Sequence, residues 1–247
     1  MSSLPALPDG WRLDHVATID GTNAELLRRA DVGEAAGLAI RADVQTAGRG
    51  RRGRNWDSPT GNLYLSVLVD AQPVTAGQVG FAAALALFDA IQIEAGGDVP
   101  NLNCKWPNDL LFEGAKVAGL LLEAVPNRDQ VVVGMGANLI PVEVSDAVYP
   151  VGALTEFPID PKVLSARVCE RLGRWLETWN TVGFTALRRV WLERAIGLGD
   201  TMIVRLPHEQ LDGTFDGLAD DGALLLNQGA AGIRTVSAGD VFFGPGD

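Results

Sequence analysis

Residues 45–56 read Gln45-Thr-Ala-Gly-Arg-Gly-Arg-Arg-Gly-Arg-Asn-Trp56. Four arginines (Arg49, Arg51, Arg52, Arg54) alternate with Gly48, Gly50 and Gly53. Glycine lets the backbone turn through positive φ and lie close to a ligand. Arginine supplies permanent charge and a forked donor for carboxylate or phosphate. Such a stretch builds no core of its own, so the loop is expected to be mobile until an anion orders it. The segments on either side, 37–46 and 62–69, read as strands. A charged loop slung between two strands makes a sheet the frame of the fold.

Working outward, residues 11–19 alternate as a strand does. Asp20-Gly-Thr-Asn23 then turns the chain, and Thr22 or Asn23 is expected to cap a helix running through Arg29. Free backbone N–H groups at that helix start suit a small polar ligand. Downstream, 75–95 is apolar on almost every side and closes at Gly96-Gly97, the pattern of a buried helix. Four short strands follow at 102–105, 110–112, 116–123 and 130–138, spaced as an antiparallel meander. Residues 160–180 and 184–195 keep helical spacing, with their tryptophans read as core. After a boundary at Gly197-Leu-Gly199 come five short apolar runs separated by Asp-Gly pairs at 212–213, 216–217 and 221–222, which read as a small β-barrel. The fold class expected is α+β: a mixed, largely antiparallel sheet with helices over residues 1–196, and a small barrel over 197–247.

The 247 residues carry a formal net charge of -11, with 47% hydrophobic and 21% charged residues. No run matches the roughly 18 apolar residues that cross a bilayer, and the N-terminus does not read as a signal peptide. Cys104 and Cys169 read as buried free thiols, and the distant His15 and His208 suggest no zinc site. The barrel region has Arg205 and Arg234 against eight acidic residues. The acidic balance argues against nucleic acid or a membrane as partner, and the cytoplasm is the expected location. There is no P-loop, no Gly-x-Ser-x-Gly and no Cys/His pair. What remains is anion chemistry by position and charge: arginines around a phosphate, Lys105 and Lys116 near strand ends, and Asp109 able to hold Mg²⁺.

Several stretches together resemble the biotin protein ligase family: Gly48-Arg-Gly-Arg-Arg-Gly-Arg54 with Trp56, Asn62-Leu-Tyr-Leu-Ser66, Lys105-Trp-Pro-Asn-Asp109, Lys116-Val-Ala-Gly-Leu-Leu-Leu-Glu123 and Gly134-Met-Gly-Ala-Asn138. The resemblance spans roughly residues 11–243 and makes the barrel SH3-like and the main domain class II synthetase-like. It implies that biotin and ATP, with Mg²⁺, give biotinyl-5′-adenylate, and that biotin then passes to a lysine of a carboxyl carrier domain. By the same resemblance, Gly21, Thr22, Asn23 and Gln45 contact biotin, with Gly119 beside them. Arg49, Gly50 and Arg51 close over biotin and the adenylate phosphate. Lys116 contacts the reacting oxygens, Trp56 stacks on adenine, and Arg54, Lys105, Asn108 and Asn138 face the nucleotide. Asp109 neighbours the metal. Gly21 stands where the family usually has serine. Few residues precede the core, so no DNA-binding domain and no repressor activity are expected, and the resemblance allows a weak homodimer. The nearest alternative within the fold is a lipoate ligase or acyl transferase; the Lys-Trp-Pro-Asn-Asp turn favours biotin.

Overall fold

The computed structural model describes residues 4–144 and 149–243. Strand β1 (Arg12–Ile19) leads through helix α1 (Thr22–Asp31) to β2 (Leu38–Gln45), and β1 and β2 pair in parallel. The arginine loop then returns the chain as β3 (Leu63–Asp70), antiparallel to β2. Helix α2 (Ala76–Glu94) crosses behind the sheet. Strands β4 (Leu102–Lys105), β5 (Asp109–Phe112), β6 (Ala115–Ala124) and β7 (Gln130–Ala137) make the expected meander. β7 docks on β3, so the sheet order is β1-β2-β3-β7-β6-β5-β4.

The burial of β3 on both faces explains why its sequence alternates so weakly. Leu65, Val67 and Val133 join the large core built by α2 and helix α3 (Pro161–Val182). Leu68 and Val132 face the other way and pack with Leu26 and Ala30 of α1. On that second face, further along the same strands, lie Tyr64 and Ser66 opposite Gly136 and Gly134. The sheet thus carries a core on one side and, beyond α1, room for a ligand on the other.

By length and composition α2 could cross a membrane, but 67% of its most apolar window is buried inside the protein. It is the central core helix. Asp160 caps α3, its carboxylate accepting from the Lys162 N–H at 2.7 Å, with Pro161 in the first turn. Such a cap contributes about 1 kcal/mol. Helix α4 (Phe184–Glu193) places Phe184 and Trp191 edge-on to Phe81 of α2.

The C-terminal strands β8 (Thr201–Arg205), β9 (Gln210–Leu218), β10 (Leu224–Asn227), β11 (Ile233–Val236) and β12 (Asp240–Phe243) form an antiparallel sheet in the order β11-β10-β9-β8-β12. Two of the expected Asp-Gly turns are not turns. Asp212-Gly213 and Asp216-Gly217 lie inside β9, where a Cβ on Gly213 would come within 2.7 Å of Asn227 O. Close approach of β10 and a register shift in that pairing account for these glycines. Asp221-Gly222 is the one that turns. Its Gly222 carbonyl accepts from the Trp106 indole at 3.1 Å, tying this sheet to the first.

Candidate active site

The structure corrects the expected cap of α1. The N-cap is Gly21, in extended backbone, and it makes no side-chain cap hydrogen bond. Thr22 and Asn23 turn inward instead. The Thr22 N–H and Oγ1 both donate to Gln45 Oε1, at 2.9 and 3.1 Å. Gln45 Nε2 donates to Ser58 Oγ at 3.0 Å. Ser66, fully buried at 0% exposure, places Oγ 2.6 Å from both Thr22 Oγ1 and Asn23 Oδ1. Asn23 Nδ2 donates to Glu123 Oε2 at 2.8 Å. Apart from the Glu123 carboxylate at its edge, this end of the site is a network of neutral donors and acceptors that fix one another's orientation.

Its floor is bare backbone. A Cβ on Gly134 would lie 2.2 Å from Asn23 Oδ1, and one on Gly136 would lie 2.6 Å from the Trp56 ring. Gly119, opposite Gly136 in the ladder, would meet Trp56 and Lys116 at 3.1 Å. The Gly134-Met-Gly136 pattern clears space for side chains from α1 and the arginine loop.

The other end is charged. Lys116 Nζ lies 2.7 Å from Asp109 Oδ1 and 5.5 Å from the centre of the Trp56 ring. Arg51 donates to Asn108 Oδ1 at 2.8 Å. Arg49 pairs with Glu123 at 3.0 Å, at the junction of the two ends. Arg52 and Arg54 both donate to Asp240 Oδ2, at 2.7 and 2.8 Å. Lys105 is only 3% exposed, and its ammonium sits 3.1 Å from the centre of the Tyr149 ring. Burial pulls its pKa down to about 8, Asp109 opposing that shift. Burial likewise lowers that of Arg51.

Gly21, Thr22, Asn23, Gln45, Arg49, Gly50, Arg51, Arg54, Trp56, Lys105, Asn108, Asp109, Lys116, Gly119 and Asn138 all line one cavity of about 490 Å³. Residues 22–138 match the model of the biotin/lipoate A/B protein ligase family, and residues 197–244 match that of the biotin protein ligase C-terminal domain. A biotin–[acetyl-CoA-carboxylase] ligase of Paracoccus denitrificans is 39% identical over 241 residues, covering 93% of this chain and 99% of its own. This chain belongs to the biotin protein ligase family. A second ligase of that name, from Mycobacterium tuberculosis, is 34% identical over 94% of this chain and 89% of its own. The biotin protein ligase of Aquifex aeolicus, solved in complex with biotin and ATP, superposes with a TM-score of 0.80 at 25% identity. It covers 94% of this chain and 99% of that one.

Against the family pattern, Gly21 leaves room rather than a gap in the fold. A Cβ there would meet Ala47 O at 3.7 Å and Gln45 Oε1 at 4.0 Å, ordinary contacts. Each of the four arginines in the loop has a protein partner. Sequence reading missed Ser66, Glu123, Tyr149 and Asp240. Ser66 closes a stretch that carries the family resemblance and is, with Tyr64, one of two hydroxyls in the apolar run Leu63–Val69. Among the described residues no group of three or more His, Cys, Asp and Glu is arranged to hold a metal ion. Asp57, Asp109 and Asp240 are the carboxylates in the cavity lining, and the buried Asp109 Oδ1 is the one paired with Lys116 Nζ.

Proposed function

We propose that this chain joins biotin to ATP, giving biotinyl-5′-adenylate and pyrophosphate, and then transfers the biotinyl group to a lysine of a carboxyl carrier domain. The observation that carries the reading is the single cavity with two unlike ends. Thr22, Asn23 and Gln45, the first two held by Ser66, offer neutral donors and acceptors suited to a cyclic urea. Arg51, Arg54, Lys105 and Lys116 suit a polyphosphate. Trp56, wedged between Lys116 and Gly136, supplies an aromatic wall at the junction for adenine to stack on.

In the first step the biotin carboxylate attacks the α-phosphorus, an O–P bond forms, and the bond to pyrophosphate breaks. Two anions must approach, and Lys116 and Arg51 offset that repulsion. One preorganised donor of this kind contributes about 3–4 kcal/mol in the transition state. Asp109 would hold a Mg²⁺ ion that arrives with the nucleotide, since such ions take one or two carboxylates and complete their shell with phosphate and water. Bound there, the ion would neutralise phosphate charge. In the second step the acceptor amine attacks the acyl carbon and AMP leaves. Arg49 and its loop exclude water from the mixed anhydride in the interval.

We divide the chain into a catalytic unit, 1–196, and a C-terminal unit, 197–247, a boundary supported by the second family match. Residence in the cytoplasm and a weak homodimer belong to the same proposal. The test is mass spectrometry of a carrier domain incubated with the protein, MgATP and biotin, or lipoate in parallel. A gain of one biotinyl group is expected. Modification by lipoate alone, or by neither, overturns the reading.

A further inference from the structure

The turn at the tip of the arginine loop sends its charges in two directions. Arg52 takes a left-handed conformation, φ 57° and ψ 29°, and Gly53 follows at φ 74°. A non-glycine residue there costs roughly 1 kcal/mol or more. The reversal leaves Arg51 facing the cavity while Arg52 lies outside its lining. Arg52 instead reaches across to β12, where it shares Asp240 Oδ2 with Arg54. The Asp240 side chain is 16% exposed, against 38% and 45% for the two arginines. One carboxylate, 186 and 188 residues away in sequence, thus sits between two like charges that would otherwise repel. Two residues along β12, Phe242 packs against the Tyr149 ring at 4.9 Å, and Tyr149 in turn underlies Lys105. Strand β12 therefore contributes Asp240 to the lining of the cavity built by the other sheet, and backs Tyr149 with Phe242.

We infer that Asp240 is a positioning residue for the arginine loop: by clamping Arg52 and Arg54 it fixes the turn that presents Arg51 and Arg54 to the nucleotide. The C-terminal sheet then completes the nucleotide end of the site rather than standing beside it. This rests on the charged end of the cavity being the nucleotide end.

Electrostatics alone gives the opposite sign, which makes the idea testable. Asp240 lines the cavity, so if it acted only as a nearby negative charge, Asp240→Asn would strengthen binding of polyphosphate. As a clamp, its loss releases the loop. Asp240→Asn is expected to raise KM for MgATP about tenfold while KM for biotin changes less than about twofold, and Asp240→Glu recovers part of the loss. Arg52→Ala, which removes an arginine outside the cavity, has a similar effect, and combining it with Asp240→Asn adds little. In the absence of nucleotide, trypsin cuts the 48–54 loop faster in Asp240→Asn than in the wild type. A lowered or unchanged KM for MgATP, full additivity of the two substitutions, or unchanged cutting overturns the clamp. The trypsin readout needs no nucleotide, so it fails only with the clamp, whereas failure of the wild-type carrier assay sinks the functional reading instead.

Discussion

The two ends of the cavity are built on different principles. At the neutral end, Thr22, Asn23, Gln45 and Ser66 satisfy one another and fix a shape before any ligand arrives. At the charged end, the protein supplies cations already matched to its own acids: Lys116 to Asp109 and, at the junction, Arg49 to Glu123. A ligand at the first end inherits a template. One at the second must displace or share carboxylates, so recognition there is an exchange of partners. Rigid polar networks favour selectivity for a small uncharged ring, whereas exchangeable pairs suit a substrate whose charge changes during reaction.

The largest effect that tests this contrast is at Lys116. Lys116→Ala should slow adenylate formation by at least about a hundredfold, read as pyrophosphate release, with biotin affinity much less affected. An equal loss of both would mean that the two ends are not separable. Next comes Ser66→Ala at the neutral end. It leaves Thr22 and Asn23 without their shared hydroxyl, and an unpaired buried group costs about 1–3 kcal/mol. KM for biotin should rise about tenfold with KM for MgATP unchanged; a shift in MgATP instead would put Ser66 on the wrong side of the comparison.

The smallest effect concerns Lys105 and stability. Its folded pKa of about 8 lies below the unfolded 10.5. Between those values the unfolded chain keeps a proton the folded chain has lost, so stability rises with pH across that window. Below about pH 8 the cost of burying the charge is present in full. Lys105→Met should therefore stabilise the protein near pH 7 by about 1 kcal/mol, the lost cation–π contact offsetting much of the relieved desolvation. Urea unfolding at pH 7 and pH 10 checks both the gain and the loss of pH slope. A destabilised variant would show that Tyr149 more than compensates the buried charge.

Most elements were legible because their periods were unambiguous. The apolar stretch of α2, the spacing of α3 and the short runs of the two sheets each read correctly from local pattern. The errors came where glycine had two explanations. Asp212-Gly213 looked like a turn because Asp-Gly usually is one, whereas here the neighbouring strand requires a residue without a side chain. Thr22 looked like a cap because threonine at a helix start usually is one, yet its hydroxyl serves the cavity. At the site, the family motifs carried nearly all of the information. Ser66 could not be placed beside Asn23 from sequence, because that depends on β3 pairing with β7 in a register set by the whole sheet. Asp240 was less accessible still, since its meaning comes from a contact between the two sheets, 186 and 188 residues from Arg54 and Arg52 in sequence.

The bare floor at Gly134, Gly136 and Gly119 has a thermodynamic consequence. Side chains that order around a ligand typically cost about 0.5–1.5 kcal/mol each in lost rotamers. Main chain in the middle of a seven-stranded sheet has no rotamers to lose. Asn23 and Trp56 lie directly on that main chain, so the seat under both was ordered when the sheet folded, and a ligand that touches them meets a support with no further entropy to lose.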